Sequence, residues 1–472
     1  MEYLLKDNQA VNVSAWFHKN RSLFGWGALA LGIALIERLV LWLSYPPVSY
    51  NDTPSYWRLA GALVDKMHGY DGTRTPGYPF LMALAGNDQH VYLLQLAMGL
   101  LMTALFFYIG WRASGRASFG ALVALGHTLN LGQLFFEANL ITETLATFWL
   151  VVMVVGVFIW YRGKHYQTLW LAAIIGLSGA FAALARPLYF FIPVWVAVCL
   201  AVSWQPRKQD KRGLHIGPIK IDWRPLVGVL IVGLIPMGLW VRYISNTYGM
   251  LSPTTMTGYN LIQHTGYYFE DVPDEYAALR DTYLKYRAER MAAFGTQGNT
   301  IWDAIPEMQQ VSGLNFYDLS RTLAKISTRL IIEHPLQYLK YAAQGWWMYW
   351  RAPVYWAPQQ LISPGLQLVL PLLVKGERLV LFALNMFFLL TSIAALVSRK
   401  LRETWKMTPF LWFLAATTWV TSILQTLPDH GDNPRFLIPM QSLVVYWGLW
   451  VLWQTWQTWK GRKISVDRKN LE

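Results

Sequence analysis

Cysteine is nearly absent from this sequence: Cys199 is the single one, so no intrachain disulfide can staple the fold. It sits inside an apolar run and reads as ordinary packing, since a free thiol behaves as a small hydrophobe. Charge is scarce too. Only 14% of the 472 residues are charged, against 54% hydrophobic, which is too apolar for a string of soluble domains. The hydrophobic runs are continuous and not alternating, which disfavours a membrane β-barrel. There is no internal repeat and no low-complexity tract. His264, His334 and His430 share no metal-ligand spacing.

What is present is continuous apolar sequence in runs of about 20 residues, the length that crosses a bilayer as a helix. The reading is an all-α polytopic membrane protein, one module over 1–472, with about ten transmembrane helices. They are placed at 25–44, 91–111, 117–136, 139–160, 168–185, 187–204, 225–244, 378–397, 408–427 and 436–457. The first run follows His18, Lys19 and Arg21 and carries no small-residue cleavage site, so it reads as a signal anchor. With both termini inside, the inner segments hold 22 Lys+Arg against 7 Asp+Glu, and the outer segments 17 against 19. That is the positive-inside pattern. It assigns the net charge of +13 to orientation rather than to nucleic acid.

The longest outer segment is 245–377. Phe316, Leu319, Leu323, Ile326 and Leu330 recur there at helical spacing, as do Tyr276, Leu279, Tyr283 and Tyr286. These are amphipathic helices fit to lie on the membrane or to roof a cavity. The stretch 361–374 is short and interrupted by Pro364 and Pro371, and reads as re-entrant or interfacial. Trp447, Trp450, Trp453, Trp456 and Trp459 recur every third residue and read as lipid-facing and interfacial anchors. Glu37 and Arg38 read as contacts inside the bundle.

The remaining ionisable groups gather at the outer helix mouths. Asp52 follows the first span and Arg74 precedes the second. Glu137 and Glu143 bracket the turn between the third and fourth, and Arg186 closes the fifth. Asp429, His430, Asp432 and Arg435 lie between the last two. Ionisable groups at membrane depth are costly and point to function. A carboxylate can deprotonate or orient a hydroxyl. Guanidinium groups can hold a phosphate and stabilise it as it leaves. A lipid-linked sugar phosphate would meet both at headgroup level. Taken singly, each residue has a plainer role: Asp52 as N-cap of a helix starting near Pro54, Arg186 and Arg435 as headgroup snorkelers.

The ordered set "YNDTPSYWRLA", "TRTPGYPFLMAL", "ITETLATFWLVV", "ALARPLYFFIPV" and "NPRFLIPMQSLVVYW" resembles the integral-membrane C-type glycosyltransferases. The resemblance is to bacterial members related to protein O-mannosyltransferases and lipid A aminoarabinose transferases. It covers residues 25–200 and the last forty. It implies transfer of a sugar from a polyprenyl-phosphate carrier to a lipid, glycan or protein hydroxyl, with inversion, on the outer face of the bacterial inner membrane. It implies Asp52 as base or acceptor-orienting group, with Glu143 or Glu137 as a second acidic residue. Arg74, Arg186 and Arg435 would hold the carrier phosphate. Tyr56, Glu137, His430 and Asp432 are candidate acceptor or sugar contacts. The protein O-mannosyltransferases typically carry an Asp-Glu pair in the first loop, whereas this chain has Asp52-Thr53. No cofactor is firmly implied; the carboxylates can hold Mg²⁺ or Mn²⁺, but Asp52 and Glu143 are not a recognisable metal pair. The alternatives are a polymerase or ligase using a lipid-diphosphate-linked glycan, and a lipid or sugar transporter. A transporter calls for mid-membrane charges and half-to-half symmetry, and neither is evident.

Overall fold

A computed structural model describes residues 21–163, 168–203, 220–221, 223–351, 354–430 and 435–469. Among these residues there are nineteen α-helices and one two-residue antiparallel ladder, Val202–Ser203 with Lys220–Ile221. Five helices are long and apolar enough to cross a membrane: α1 (Arg21–Ser44), α4 (Asp88–Ser114), α7 (Glu143–Tyr161), α10 (Trp223–Tyr248, from Leu226) and α16 (Pro364–Val397). A sixth crossing arises if α5 (Ala117–Thr128) and α6 (Leu131–Ala138), bent by 55° at their junction, count as one broken span. Length and composition therefore mark five or six candidate crossings among the described residues, where the sequence suggests ten. The other four candidates are α8 (Leu169–Ala185), a 3₁₀ turn at Pro187–Phe191 leading into α9 (Ile192–Ala201), α18 (Pro409–Thr426) and α19 (Ile438–Lys469). The first two are short; the last two are rich in Thr, Gln and Trp.

Indole N–H groups bond hydroxyls on neighbouring elements: Trp195 to Thr417 (2.9 Å), Trp346 to Ser422 (3.0 Å), Trp419 to Ser392 (3.0 Å), Trp447 to Thr391 (2.9 Å) and Trp405 to Thr455 (3.0 Å). Each bond lets a large ring pack inside while its one polar atom is satisfied. This corrects the reading of the α19 tryptophans as outward anchors. Trp447 and Trp450 are buried, and only Trp456 and Trp459 are exposed.

The 361–374 stretch is also corrected. It is neither re-entrant nor separate, because α16 runs unbroken through Pro371. Pro364 sits at the first turn, where a proline costs nothing. At 1.5 Å per residue the 34-residue helix is about 50 Å long, well beyond a bilayer core of about 30 Å.

Between α10 and α16 lies a cap of five helices: α11 (Thr257–Thr265), α12 (Ala277–Phe294), α13 (Thr300–Ser312), α14 (Phe316–Glu333) and α15 (Pro335–Tyr349). Leu319, Leu323, Ile326 and Leu330 of α14 are buried together with Tyr259, Tyr283 and Met308 in a core separate from that of the bundle. The amphipathic stripe thus faces other cap helices.

The α5–α6 break is clasped by α1. Arg38 donates to Thr128 Oγ1 (2.8 Å) and to Glu137 Oε1 (2.6 Å), while Thr128 donates to Glu37 (2.7 Å). Arg38 and Glu137 are both buried. Gly99 of α4 makes room for this pair, since an added methyl would overlap the Glu137 carboxylate. Breaking a buried ion pair costs about 3 kcal/mol or more. Gly99→Ala should therefore lower unfolding stability in detergent by about that amount. Gly32→Ala, which meets open space, should not. Equal stabilities of the two variants would remove the clasp from this account.

Candidate functional site

Two chain segments are laid side by side to build the site. Pro46 and Pro47 hold the chain after α1 away from helix. Val48 N–H then donates to Ala138 O (2.9 Å), and Leu140 N–H donates to Val48 O (2.9 Å), a single parallel bridge. Thr53 Oγ1 donates to Leu140 O (2.9 Å), and Gln95 donates to the carbonyls of Glu137 and Asn139 (3.0 Å each). The segment carrying Asp52 is thereby held against the segment that leads into Glu143.

Asp52 precedes α2 (Thr53–Val64), yet its side chain makes no capping bond. The capping role is overturned, because both oxygens are engaged elsewhere. Oδ1 accepts from Arg74 (2.5 Å) and Oδ2 from Arg435 (2.6 Å). Arg74 comes from the loop between α2 and α3 (Gly77–Ala85), where Asp71 accepts from the Thr73 N–H and hydroxyl. Gly77 brings this loop onto the end of α8, since a Cβ there would lie 2.6 Å from Leu184 O. Arg186 follows α8 in extended conformation, as the residue before a proline prefers. Its Nη1 lies 2.5 Å from Glu143 Oε1, and the Arg435 Nε lies 3.6 Å from the same oxygen. Glu143 is the first residue of α7, where a helix favours a negative charge. Arg186 lies over the Phe436 ring (5.3 Å) and Arg74 over Tyr56 (5.5 Å).

Three guanidinium groups and two carboxylates thus meet in a largely buried cluster. Burial pushes the Asp52 carboxyl up, but Arg74 and Arg435 outweigh it and hold it below its ordinary value. The cluster lines a cavity of about 1280 Å³. Tyr50 and Tyr355, stacked at 4.5 Å, form part of its wall. The cap roofs it. Helix α11 runs across as a beam, fixed at one end by Thr255 N–H to Gly72 O (2.9 Å) and at the other by His264 Nε2 to Thr426 O (2.7 Å). The nine-residue helix is about 14 Å long at 1.5 Å per residue.

Of the residues singled out from sequence, Asp52, Tyr56, Arg74, Glu143, Arg186, His430 and Arg435 all line this cavity. Glu137 does not: it is fully buried on Arg38, outside the chamber, and is corrected from sugar or acceptor contact to part of the clasp at the α5–α6 break. Of the two glutamates, Glu143 is the one that lines the chamber. Asp432 lies outside the described residues. Sequence reasoning missed the Arg58–Asp71 and Arg290–Asp303 pairs and the cap residues Asn260, Gln263, Asn299 and Trp302. Arg290 sits on α12, whose sequence carries no local sign that it faces a cavity. Among the described residues no three His, Cys, Asp or Glu side chains are grouped to hold a metal ion.

A depressed Asp52 acidity has a pH consequence. Its stabilising contribution is complete above its unfolded value of about 3.9 and is lost as pH falls through the lower folded value. Asp52→Asn should therefore destabilise the protein by a constant amount between about pH 8 and 5, with the deficit shrinking below about pH 4. Thermal unfolding of detergent-solubilised protein reads this, and a deficit that vanishes by pH 6 would contradict it. Comparison with protein-family models, curated proteins and solved structures yields no match for this chain.

Proposed function

We propose that the protein is a membrane glycosyltransferase that moves a sugar from a polyprenyl-phosphate carrier to an acceptor hydroxyl. The observation that carries this is the cluster of three arginines and two carboxylates lining one chamber of an apolar helical protein. Arginines grouped in one chamber can hold a phosphate in charge-assisted hydrogen bonds. A carboxylate beside it supplies what an attacking hydroxyl needs.

In this reading the chain crosses the membrane ten times, with α5–α6 as one broken span and α8, the 3₁₀ turn with α9, α18 and α19 as further spans. The basic segments then face the cytoplasm, and the chamber opens on the outer face of a bacterial inner membrane. The carrier phosphate sits against Arg186 and Arg435. Arg435 is the pivot. In the resting arrangement it holds Asp52 Oδ2, which makes Asp52 a poor base. When Arg435 turns to the phosphate, that oxygen is released to the acceptor. The acceptor O–H gives its proton to Asp52 and its oxygen bonds the anomeric carbon. The bond from that carbon to the phosphate oxygen breaks, and the phosphate keeps the electron pair. One carboxylate beside the nucleophile serves this single displacement, because the phosphate leaves as an anion without the general acid that a glycoside oxygen needs. No metal is required by this scheme.

A cavity of about 1280 Å³ exceeds the range of about 300–1000 Å³ for a single small ligand. That favours two substrates held together, and it keeps as a second reading a polymerase or ligase that uses a lipid-diphosphate-linked glycan. Radiolabelled donors with monophosphate and diphosphate linkages separate the two.

Asp52→Asn should reduce transfer from a polyprenyl-phosphate sugar by about 10²–10⁴-fold, the contribution of a positioned general base. Membrane insertion should be unchanged. Near-normal transfer by this variant would remove Asp52 from the chemistry.

A further inference from the structure

One wall of the chamber is unlike the arginine floor. Asn299 precedes α13 with φ of +68°, a left-handed conformation that asparagine tolerates better than most residues. It is held there by its own N–H to Gln263 Oε1 (3.1 Å). Its side-chain oxygen accepts from the Trp302 indole (3.2 Å) and lies 3.4 Å from His430 Nε2. Asn299 therefore joins the cap to the end of the bundle and sets two rings at once. Trp302 is 37% exposed while lining the cavity. The one arginine in this wall, Arg290, is engaged by Asp303 (2.8 Å). The cavity's other arginines belong to the floor cluster or to the Arg58–Asp71 pair.

This is not a phosphate-binding composition. Side-chain amides offer donors and acceptors from the same group, and an imidazole can be set to either role. The indole supplies a flat apolar face. Together they suit a ligand with a ring of hydroxyls and one apolar face. Hydroxyl recognition by fixed polar groups is also the most selective kind, because a missing hydroxyl leaves them unpaired.

We infer that the Asn299–Trp302–Gln263–His430 wall is the pyranose subsite of the chamber. It takes the sugar ring of the carrier-linked donor, with its apolar face on Trp302 and its hydroxyls on the amides and His430. The inference rests on the proposed glycosyltransferase reading and adds which residues choose the sugar. The donor is favoured over the acceptor because His430 and Arg435 lie in one short connection after α18. A phosphate on Arg435 carries its sugar to this end of α11. The Arg58–Asp71 end, about 14 Å away along that helix, is left to the acceptor.

The test is binding to the full-length protein in lipid nanodiscs. The probes are undecaprenyl phosphate alone and undecaprenyl phosphate bearing glucose, mannose or 4-amino-4-deoxyarabinose. At least one glycosylated carrier should bind about tenfold or more tightly than the bare carrier, as one or two hydroxyl hydrogen bonds allow. Trp302→Ala and Asn299→Gly, which keeps the left-handed backbone, should each reduce that advantage below about threefold while binding the bare carrier as the wild type does. If the advantage persists in both variants, or no sugar gives one, the subsite is overturned and the phosphate reading stands. If both variants also lose the bare carrier, the wall is structural and the subsite is again overturned. Failure of the wild type to bind bare carrier instead overturns the glycosyltransferase reading, and the subsite falls with it.

Discussion

The ion pair between Asp52 and Arg435 joins residues 383 positions apart, and the chamber depends on it. It brings the first connection of the bundle to the last. Around it Arg74, Glu143 and Arg186 complete the cluster. Isolated charges at this depth would cost several kcal/mol each. Pairing removes most of that cost. In the proposed reading the central arginine of the cluster exchanges a carboxylate for a phosphate, while Arg74 keeps its hold on Asp52.

The surrounding structure serves to hold those five side chains still. The single backbone bridge between Val48 and Asn139 aligns two carboxylate-bearing segments. Behind it, the Arg38–Glu137 clasp stabilises the bent junction of α5 and α6. The indole-to-hydroxyl bonds give the bundle directional contacts that lipid-like packing cannot supply. The cap has its own core and touches the bundle at both ends of α11, so it can close the chamber as a rigid roof.

The floor of the site was legible because its residues are rare charges at the mouths of apolar runs. One orientation puts all of them on one face, and the chamber indeed gathers Asp52, Arg74, Glu143, Arg186 and Arg435. Glu137 had the same signature and a different fate. Six residues before Glu143, it lies in α6 instead of at the start of α7, and only the tertiary contact with Arg38 tells the two apart. The roof was not legible. Asn299 and Trp302 sit in polar sequence with ordinary helix-start chemistry, and nothing local says that they face a cavity. Pro371 misled by rule, since a proline within a long helix is compatible with continuity when the rest of the helix is strongly apolar. The α19 tryptophans misled because period three does not reveal which rings find hydroxyl partners.

Electron cryo-microscopy of the nanodisc-embedded protein with undecaprenyl phosphate tests the central claim most directly. The account predicts phosphate density between Arg186 and Arg435, with Arg435 withdrawn from its 2.6 Å contact to Asp52. Phosphate bound elsewhere, or a bound phosphate with the Asp52–Arg435 pair intact, would contradict it.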